Sequence, residues 1–173
     1  MRTFTLFLLL ATAPVALRAD EKSDVAKAVE QAKLVAKAVL EGDYAKVADS
    51  THPKVVEIMG GREKMIETTK TIMKSLKDQG ISINSHSVGK AETPVVDGKF
   101  TYLVIPTTMV LKTEGMKITV ESYLLGMSTD GGKTWLFVDG SGMDNPMVKD
   151  KVFPKLPDGL KLPAKKDPTI TKD

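Results

Sequence analysis

The chain has 173 residues, with 25 basic and 22 acidic side chains and no cysteine. This length suits one domain, and the lack of cysteine excludes disulfides, thiol catalysis and thiolate metal sites. A packed core must therefore stabilise the fold. The near balance of charges argues against nucleic acid as a partner.

The N-terminus has the layout of a secretory signal peptide. Arg2 supplies an early positive charge, "FTLFLLLATAPVAL" is an apolar run, and "LRA" supplies a small-residue cleavage site. The run is shorter than the ~20 apolar residues of a membrane span, so an uncleaved anchor is the less favoured alternative. We expect removal of residues 1–19 after Ala19. The remaining chain would be exported, periplasmic or extracellular, without a membrane span, and nearly neutral because Arg2 and Arg18 are lost.

Helical spacing predicts helices in the first half of the chain. "SDVAKAVEQAKLVAKAVLEGD" carries apolar side chains at helical intervals and ends at Gly42, after which Asp43 caps a short helix, "YAKVAD". "KVVEIMGG" is a short helical turn or a strand. "REKMIETTKTIMKSLKDQG" is a long helix that Gly80 ends, and we expect its apolar stripe to pack on a sheet.

From Ile81 the apolar period changes to two, which predicts strands. These are "ISINSHSVGKAE", "KFTYLVIPTTMVLK", "MKITVESYLLGMS" and "TWLFVDGSG". Pro106 within the second strand favours a sheet edge or a bulge there. The order predicts an α+β fold, with N-terminal helices packed on a curved antiparallel sheet of about four strands. The domain would span residues 20–152, and the Pro- and Lys-rich residues 153–173 would form an extended or disordered tail.

The segment "STDGGKTW", Ser128 to Trp135, matches the Asp-box of sialidase β-propellers. A propeller needs several blades of ~40–45 residues, and this chain has one copy of the motif after a helical half. After signal cleavage Arg62 is the only arginine, too few to hold a sialic acid carboxylate. The motif is instead predicted to be a hairpin turn. The Asp130 carboxylate would accept backbone hydrogen bonds, and Gly131 and Gly132 would adopt positive φ.

The segments "EGDYAKVAD", "GGREKMIETTKTIMKSL" and "GGKTWLFVDGSG", in this order, resemble the nuclear transport factor 2-like superfamily, which has a cystatin-like α+β cone fold. The resemblance covers roughly residues 24–143. It implies a pocket between the concave sheet face and the helices, and a homodimer. The superfamily includes ketosteroid isomerases, dehydratases, polyketide cyclases and many non-enzymatic binding domains.

Strand register predicts which residues line this pocket. If Ser128 pairs with Thr134 across the turn, Met127 faces Trp135, Leu125 faces Phe137, and Tyr123 faces Asp139. A slip of one residue would exchange the two faces of the sheet. We expect the aromatic face to line the pocket, together with His52 from the helical connection. The expected lining residues are Tyr102, Val104, Leu125, Met127, Trp135, Phe137 and His52.

Three side chains at one end of that face are candidates for chemistry. Asp139 or Glu121 could act as a general base or acid, and Tyr123 could donate a hydrogen bond to an oxyanion. The structural alternative is a Tyr–Asp hydrogen bond beside a solvated Glu, and it is the favoured one. His52 and His86 have no ligand pattern around them, so neither a metal nor another cofactor is expected.

The expected function is therefore binding of a small apolar or amphipathic molecule, or of another exported protein, without catalysis. One alternative is a cofactor-free acid/base enzyme of the isomerase or dehydratase type that uses Asp139, Glu121 and Tyr123. The other is an assembly role as a structural dimer, in which side chains fill the pocket.

Overall fold

A computed structural model of the chain describes residues 16–172. Most of the predicted signal peptide, residues 1–15, therefore lies outside the described residues. The first helix, α1, spans Ala16–Glu41 and ends at Gly42, whose φ is 73°. The second, α2, spans Tyr44–Asp49, and the Asp43 carboxylate caps it by accepting a hydrogen bond from the Lys46 N–H. The predicted helix end at Gly42 and the predicted cap at Asp43 are confirmed, whereas α1 begins at Ala16, seven residues before Ser23, where the predicted helix starts.

Two further helices precede the sheet. Helix α3, Pro53–Ile58, begins after His52, whose Nδ1 accepts a hydrogen bond from the Lys54 N–H at 3.3 Å. Helix α4 spans Arg62–Asp78 and packs mainly against α2, where Arg62 forms a two-pronged ion pair with Asp49 at 2.6 and 2.9 Å.

The helix that packs most extensively on the sheet is α1, whereas the sequence pattern predicted that α4 would do so. Ala28, Ala32 and Ala36 are buried and let the α1 backbone approach the sheet closely. Met65 is the only buried residue of α4, and Ile72 is 53% exposed. The apolar stripe of α4 therefore predicted the helix correctly, but the prediction that this stripe packs on the sheet was wrong.

The strands form one curved, open antiparallel sheet, so the predicted α+β class is confirmed. The described residues contain six strands rather than about four, because a short strand precedes the long hairpin and another follows at the C-terminus. The central order is β1-β3-β4-β5, with β2 on the same edge of β3 as β1 and β6 on the same edge of β4 as β5. The strands are β1 Ser82–Val88, β2 Val95–Asp97, β3 Phe100–Thr113, β4 Met116–Ser128, β5 Leu136–Asp139 and β6 Thr169–Lys172.

The two faces of the sheet belong to two apolar clusters. The helix-side cluster joins α1 to one face through Leu103, Ile105, Leu124, Trp135 and Phe137. The tail-side cluster covers the other face with α3, a 3₁₀ helix at Gly140–Asp144, the last helix α5 at Pro146–Val152, and the tail. Its buried sheet residues are Tyr102, Val104, Tyr123, Leu125 and Val138.

The predicted pairing of β4 with β5 is wrong by one residue. Met127 pairs with Leu136 instead of Trp135, and the shift continues along the ladder, so Leu124 rather than Tyr123 pairs with Asp139. The turn itself is as predicted. Asp130 accepts hydrogen bonds from the N–H groups of Lys133 and Thr134.

Trp135 explains the shift, because its backbone N–H donates to the Gln31 side chain on α1 and its indole N–H donates to the Gly132 carbonyl. These bonds keep Trp135 within the loop, and regular pairing starts one residue later. Trp135 and Phe137 consequently lie in the helix-side cluster, opposite to the face on which they were predicted.

The tail is extended, one of the two predicted alternatives. Phe153 is buried, and Leu156, Leu160 and Leu162 pack against the tail-side cluster. The chain then crosses the sheet and adds β6 to β4 near the tip of the long hairpin. These few apolar side chains make the tail part of the fold.

Candidate functional site

The edge of β4 that faces away from β3 is paired in two separate stretches. Strand β5 pairs with Leu124 to Met127, and β6 pairs with Met116 to Thr119. The four residues between them, Val120 to Tyr123, have no strand partner on this edge within the described chain. We call residues 120–123 the edge gap.

A cavity of about 440 Å³ lies at the edge gap. One wall is the sheet around Pro106 and Tyr123, and another is the start of the 3₁₀ helix at Gly140 and Ser141. The cover is residues 163–168 of the tail, which we call the strap. This volume falls in the range of cavities that hold small ligands.

The backbone of the edge gap points away from β3 at two residues. The C=O of Pro106 accepts a hydrogen bond from the Gly89 N–H at 2.8 Å, so Pro106 directs its backbone toward β1 and β2 rather than toward β4. Pro106 and Tyr123 therefore form a non-hydrogen-bonded pair between β3 and β4. The same holds for Thr108 and Glu121, because such pairs recur at every second residue. Tyr123 and Glu121 both direct their N–H and C=O groups away from β3, toward the edge of β4 where Gly140 packs against Tyr123.

The same geometry explains how β3 tolerates a proline. Pairing with β1 ends at Thr107, and pairing with β2 begins at Tyr102. Pro106 lies between them, so its missing N–H faces the loop rather than a strand. On this side of β3, Pro106 therefore lies at a short unpaired edge, which is one of the two alternatives predicted for it.

Two ion pairs connect the strap to the cavity rim. Lys166 binds Glu121, and Lys165 binds Asp144 with Nζ and Oδ2 3.1 Å apart. Both pairs are exposed to solvent; the Glu121 side chain, for example, is 51% exposed. Each contributes little to stability, but together they neutralise the charges around a mainly apolar cavity.

Of the three candidate catalytic residues, two line the cavity. Tyr123 and Glu121 are on its wall, whereas Asp139 caps the 3₁₀ helix by accepting hydrogen bonds from the N–H and hydroxyl of Ser141. Burial raises the pKa of the Tyr123 phenol, and the charges of Asp144 and Asp139 raise it further. The phenol is thus a neutral hydrogen-bond donor at physiological pH.

The predicted pocket-lining residues are packed into core instead of around the cavity. Tyr102, Val104 and Leu125 are buried in the tail-side cluster, and Met127 is partly buried against it. His52 lies at the border of that cluster, with its ring centroid 6.0 Å from that of Phe153. Burial lowers the pKa of the His52 imidazole, and the charge of Lys54 lowers it further.

The sequence did not identify the strap, Asp144, Lys165 or Lys166 as parts of a site. No local pattern marks them, because their position depends on where the tail crosses the sheet. The only signal was the pair of prolines at 163 and 168, which cannot donate backbone hydrogen bonds and so disfavour a regular strand through these two positions.

A second hollow, of about 1170 Å³, lies between the start of α1, the loop before β2 and the tail near Leu160. It is a broad groove open to solvent, with several lysines at its rim. Such a shape encloses little of a small ligand, so the cavity at the edge gap is the better candidate.

Within residues 16–172, no cluster of His, Asp and Glu side chains has the arrangement of a metal site. None of the helices described here is long and apolar enough to cross a membrane. No family model matches the chain, and no curated protein matches it with significant similarity.

Proposed function

We propose that this chain is an exported binding domain with a nuclear transport factor 2-like fold, which holds a small apolar or amphipathic molecule in the cavity at the edge gap. The observation that carries the proposal is the position of this cavity between the sheet and the strap, which covers part of it. Its walls are mainly apolar, through Pro106, Tyr123, Pro163 and Ala164, and its charged groups lie at the rim as pairs.

The order of elements supports the family part of the proposal, since helices precede a curved antiparallel sheet and α1 packs on one face. The site differs from the one that the resemblance implies. The helix-side cluster fills the space between α1 and the sheet, and the proposed cavity lies on the opposite side, beneath the strap.

Binding without catalysis is favoured because the nearby carboxylates already have partners. Glu121 binds Lys166, Asp144 binds Lys165, and Asp139 binds Ser141. A general base must be free to take a proton from the substrate. Each of these groups would first have to leave its present partner.

The test uses 1-anilinonaphthalene-8-sulfonate, an amphipathic probe that fluoresces in apolar sites, with the purified full chain. Ala164→Trp places an indole in the strap, where it would fill part of the cavity. Ala26→Trp, on the exposed surface of α1, is the matched control. We expect Ala164→Trp to weaken probe binding at least tenfold and Ala26→Trp to leave it unchanged. Equal binding by the wild type and Ala164→Trp would contradict the proposal.

A further inference from the structure

We infer that the molecule held in the cavity carries an uncharged carbonyl group, and that the phenol of Tyr123 binds its oxygen as a hydrogen-bond donor. This inference rests on the proposed function and names the chemical class of its ligand. It is carried by the position of Tyr123, whose side chain is buried and lines the cavity, yet forms no hydrogen bond within the described part of the chain.

The hydroxyl of Tyr123 reaches open space although the residue is only 7% exposed. Within residues 16–172, the one buried side-chain nitrogen or oxygen without a partner is Nδ1 of His86, so the Tyr123 oxygen is not sealed inside the core. Because Tyr123 is part of the cavity wall, we place this oxygen at the cavity. A hydroxyl that is left without a partner costs free energy, and a ligand in the cavity can supply that partner.

The ring of Tyr123 is held in place by its neighbours. It packs in the tail-side cluster with Val138 and Met143. Gly140 lies against its edge, since a Cβ atom at Gly140 would be only 2.7 Å from Cε1 of the ring. A ring packed in this way keeps its oxygen at one position, so ligand binding there requires little further ordering of the protein.

The charges around the phenol favour an uncharged acceptor on the ligand. Burial raises the pKa of Tyr123, and the charges of Asp144 and Asp139 raise it further, so the hydroxyl keeps its proton and can donate it to a hydrogen bond. The same two carboxylates oppose a negative charge placed beside the phenol. A ligand hydroxyl would need an acceptor for its own proton, but Lys165 and Ser141 already bind these carboxylates. A carbonyl oxygen meets both conditions.

The other hydroxyl groups on the cavity wall are less suited to this role. The Ser141 hydroxyl already donates to a carboxylate. Thr107 and Ser122 pair with each other on the helix side of the sheet, whereas the strap covers the tail side, on which Tyr123 lies. Thr108 is on the tail side but only half-buried, so its hydroxyl can hydrogen-bond to water.

The rest of the cavity wall fits an apolar body attached to the carbonyl group. The apolar residues of the wall come from both the sheet and the strap, and they are Pro106, Val120, Pro163, Ala164 and Pro168. The volume of about 440 Å³ has room for a bicyclic aromatic ketone.

The test compares two probes of nearly equal shape with the purified full chain. 2-Acetylnaphthalene has a carbonyl oxygen where 2-isopropenylnaphthalene has a CH₂ group. Isothermal titration calorimetry measures both dissociation constants for the wild type, Tyr123→Phe and Tyr102→Phe. Tyr102 is the matched control, because it is also 7% exposed and in the tail-side cluster but does not line the cavity. Neither substitution removes a hydrogen bond within the described residues, so both variants should fold.

The wild type should bind the ketone about fivefold more tightly than the alkene, or better, as expected for one hydrogen bond. Tyr123→Phe should weaken the ketone alone and so remove this preference, whereas Tyr102→Phe should retain it. Infrared spectroscopy gives a second readout. The C=O stretch of the bound ketone should lie at a lower frequency in the wild type than in Tyr123→Phe, because a donated hydrogen bond weakens the C=O bond.

Equal affinities of the wild type for the two probes, an equal loss for both probes in Tyr123→Phe, or no binding of the ketone would overturn the inference. If one of these results is found while the fluorescent probe still binds in an Ala164-dependent way, the proposed function stands and only the carbonyl class is wrong. If neither the ketone nor the fluorescent probe binds, both proposals are rejected.

Discussion

The side chain of Gln31 in α1 binds the loop around Trp135 with both of its polar groups. Its Oε1 accepts a hydrogen bond from the Trp135 backbone N–H at 2.9 Å, and its Nε2 donates to the Lys133 carbonyl at 3.1 Å. These two bonds connect residues more than a hundred positions apart in the sequence. They hold the loop against the helix and set the residue at which β5 begins.

Replacing Gln31 by alanine should therefore destabilise the domain. The Trp135 N–H would lose its partner in a partly buried position, which costs about 1–2 kcal/mol in the free energy of unfolding. Urea denaturation followed by tryptophan fluorescence measures the change. Lys33→Ala, on the exposed surface of the same helix, is the control and should cost less than about 0.5 kcal/mol. Equal losses in the two variants would show that the Gln31 contacts contribute nothing specific.

The hydrogen bonds to Asp130 in the turn should make the free energy of unfolding depend on pH in the acidic range. Hydrogen bonds from Thr134, Ser128 and Lys133 lower the pKa of its carboxyl from 3.8 to about 2. A lowered folded-state pKa stabilises the fold above the unfolded value, and this contribution is lost as the pH falls through the folded value. Asp130→Asn should thus lower stability most above pH 4.

The measurement for Asp130 is denaturant unfolding of the wild type and Asp130→Asn at several pH values from 5 down to 2. The difference between the two proteins should shrink steadily across the interval between about pH 4 and pH 2. A difference that stays constant over this interval would contradict the assignment of the low pKa to Asp130.

The Asp-box shows how far local sequence determines structure. Asp130, Gly131 and Gly132 specify their turn through contacts within a few residues, and this part of the prediction is confirmed. The strand register beyond the turn depends on Gln31, which is distant in the sequence. A hydrogen bond from another element can move pairing by one residue, and a shift of one residue moves every side chain to the other face.

The cavity depends even more on distant residues. Glu121 and Tyr123 were singled out from β4 alone, but the opposite wall comes from the strap and the 3₁₀ helix. Polar, proline-rich composition indicates that a tail lacks its own core, and it does not indicate where the tail packs. Four apolar side chains, at 153, 156, 160 and 162, are enough to attach it to the tail-side cluster.

Any side chain at position 140 should destabilise the domain. A Cβ atom at this position would lie 2.7 Å from Cε1 of Tyr123 and 3.0 Å from Oγ of Ser122. The Tyr123 ring is buried, so Gly140→Ala should destabilise the domain by roughly 1–3 kcal/mol through overpacking. Gly142→Ala is a matched control in the same 3₁₀ helix, because its nearest neighbour would be 3.5 Å away. Thermal unfolding of both variants tests this, and similar melting temperatures would contradict it.

His86 should weaken the fold in mild acid. Its Nδ1 is buried without a hydrogen-bond partner among the described residues, and burial lowers the pKa of the imidazole although the charge of Asp139 opposes this. The unfolded chain therefore binds a proton more readily, and stability falls as the pH decreases below about 6.5. His86→Leu should flatten this decline without abolishing it, because His52 has a lowered pKa as well. Chemical denaturation at pH 7.5 and 5 measures the effect, and an unchanged slope would exclude His86 as a source.

The strap lysines should control access to the cavity more than they control stability. Lys165 and Lys166 form exposed ion pairs, so replacing both by alanine should change the free energy of unfolding by less than about 1 kcal/mol. Loss of both pairs frees residues 163–168 from the rim, and the association rate of the fluorescent probe should rise several-fold. Stopped-flow mixing measures this rate, with Lys74→Ala on α4 as a control that breaks an equally exposed ion pair far from the strap. An unchanged association rate in the double variant would show that the ion pairs do not limit access.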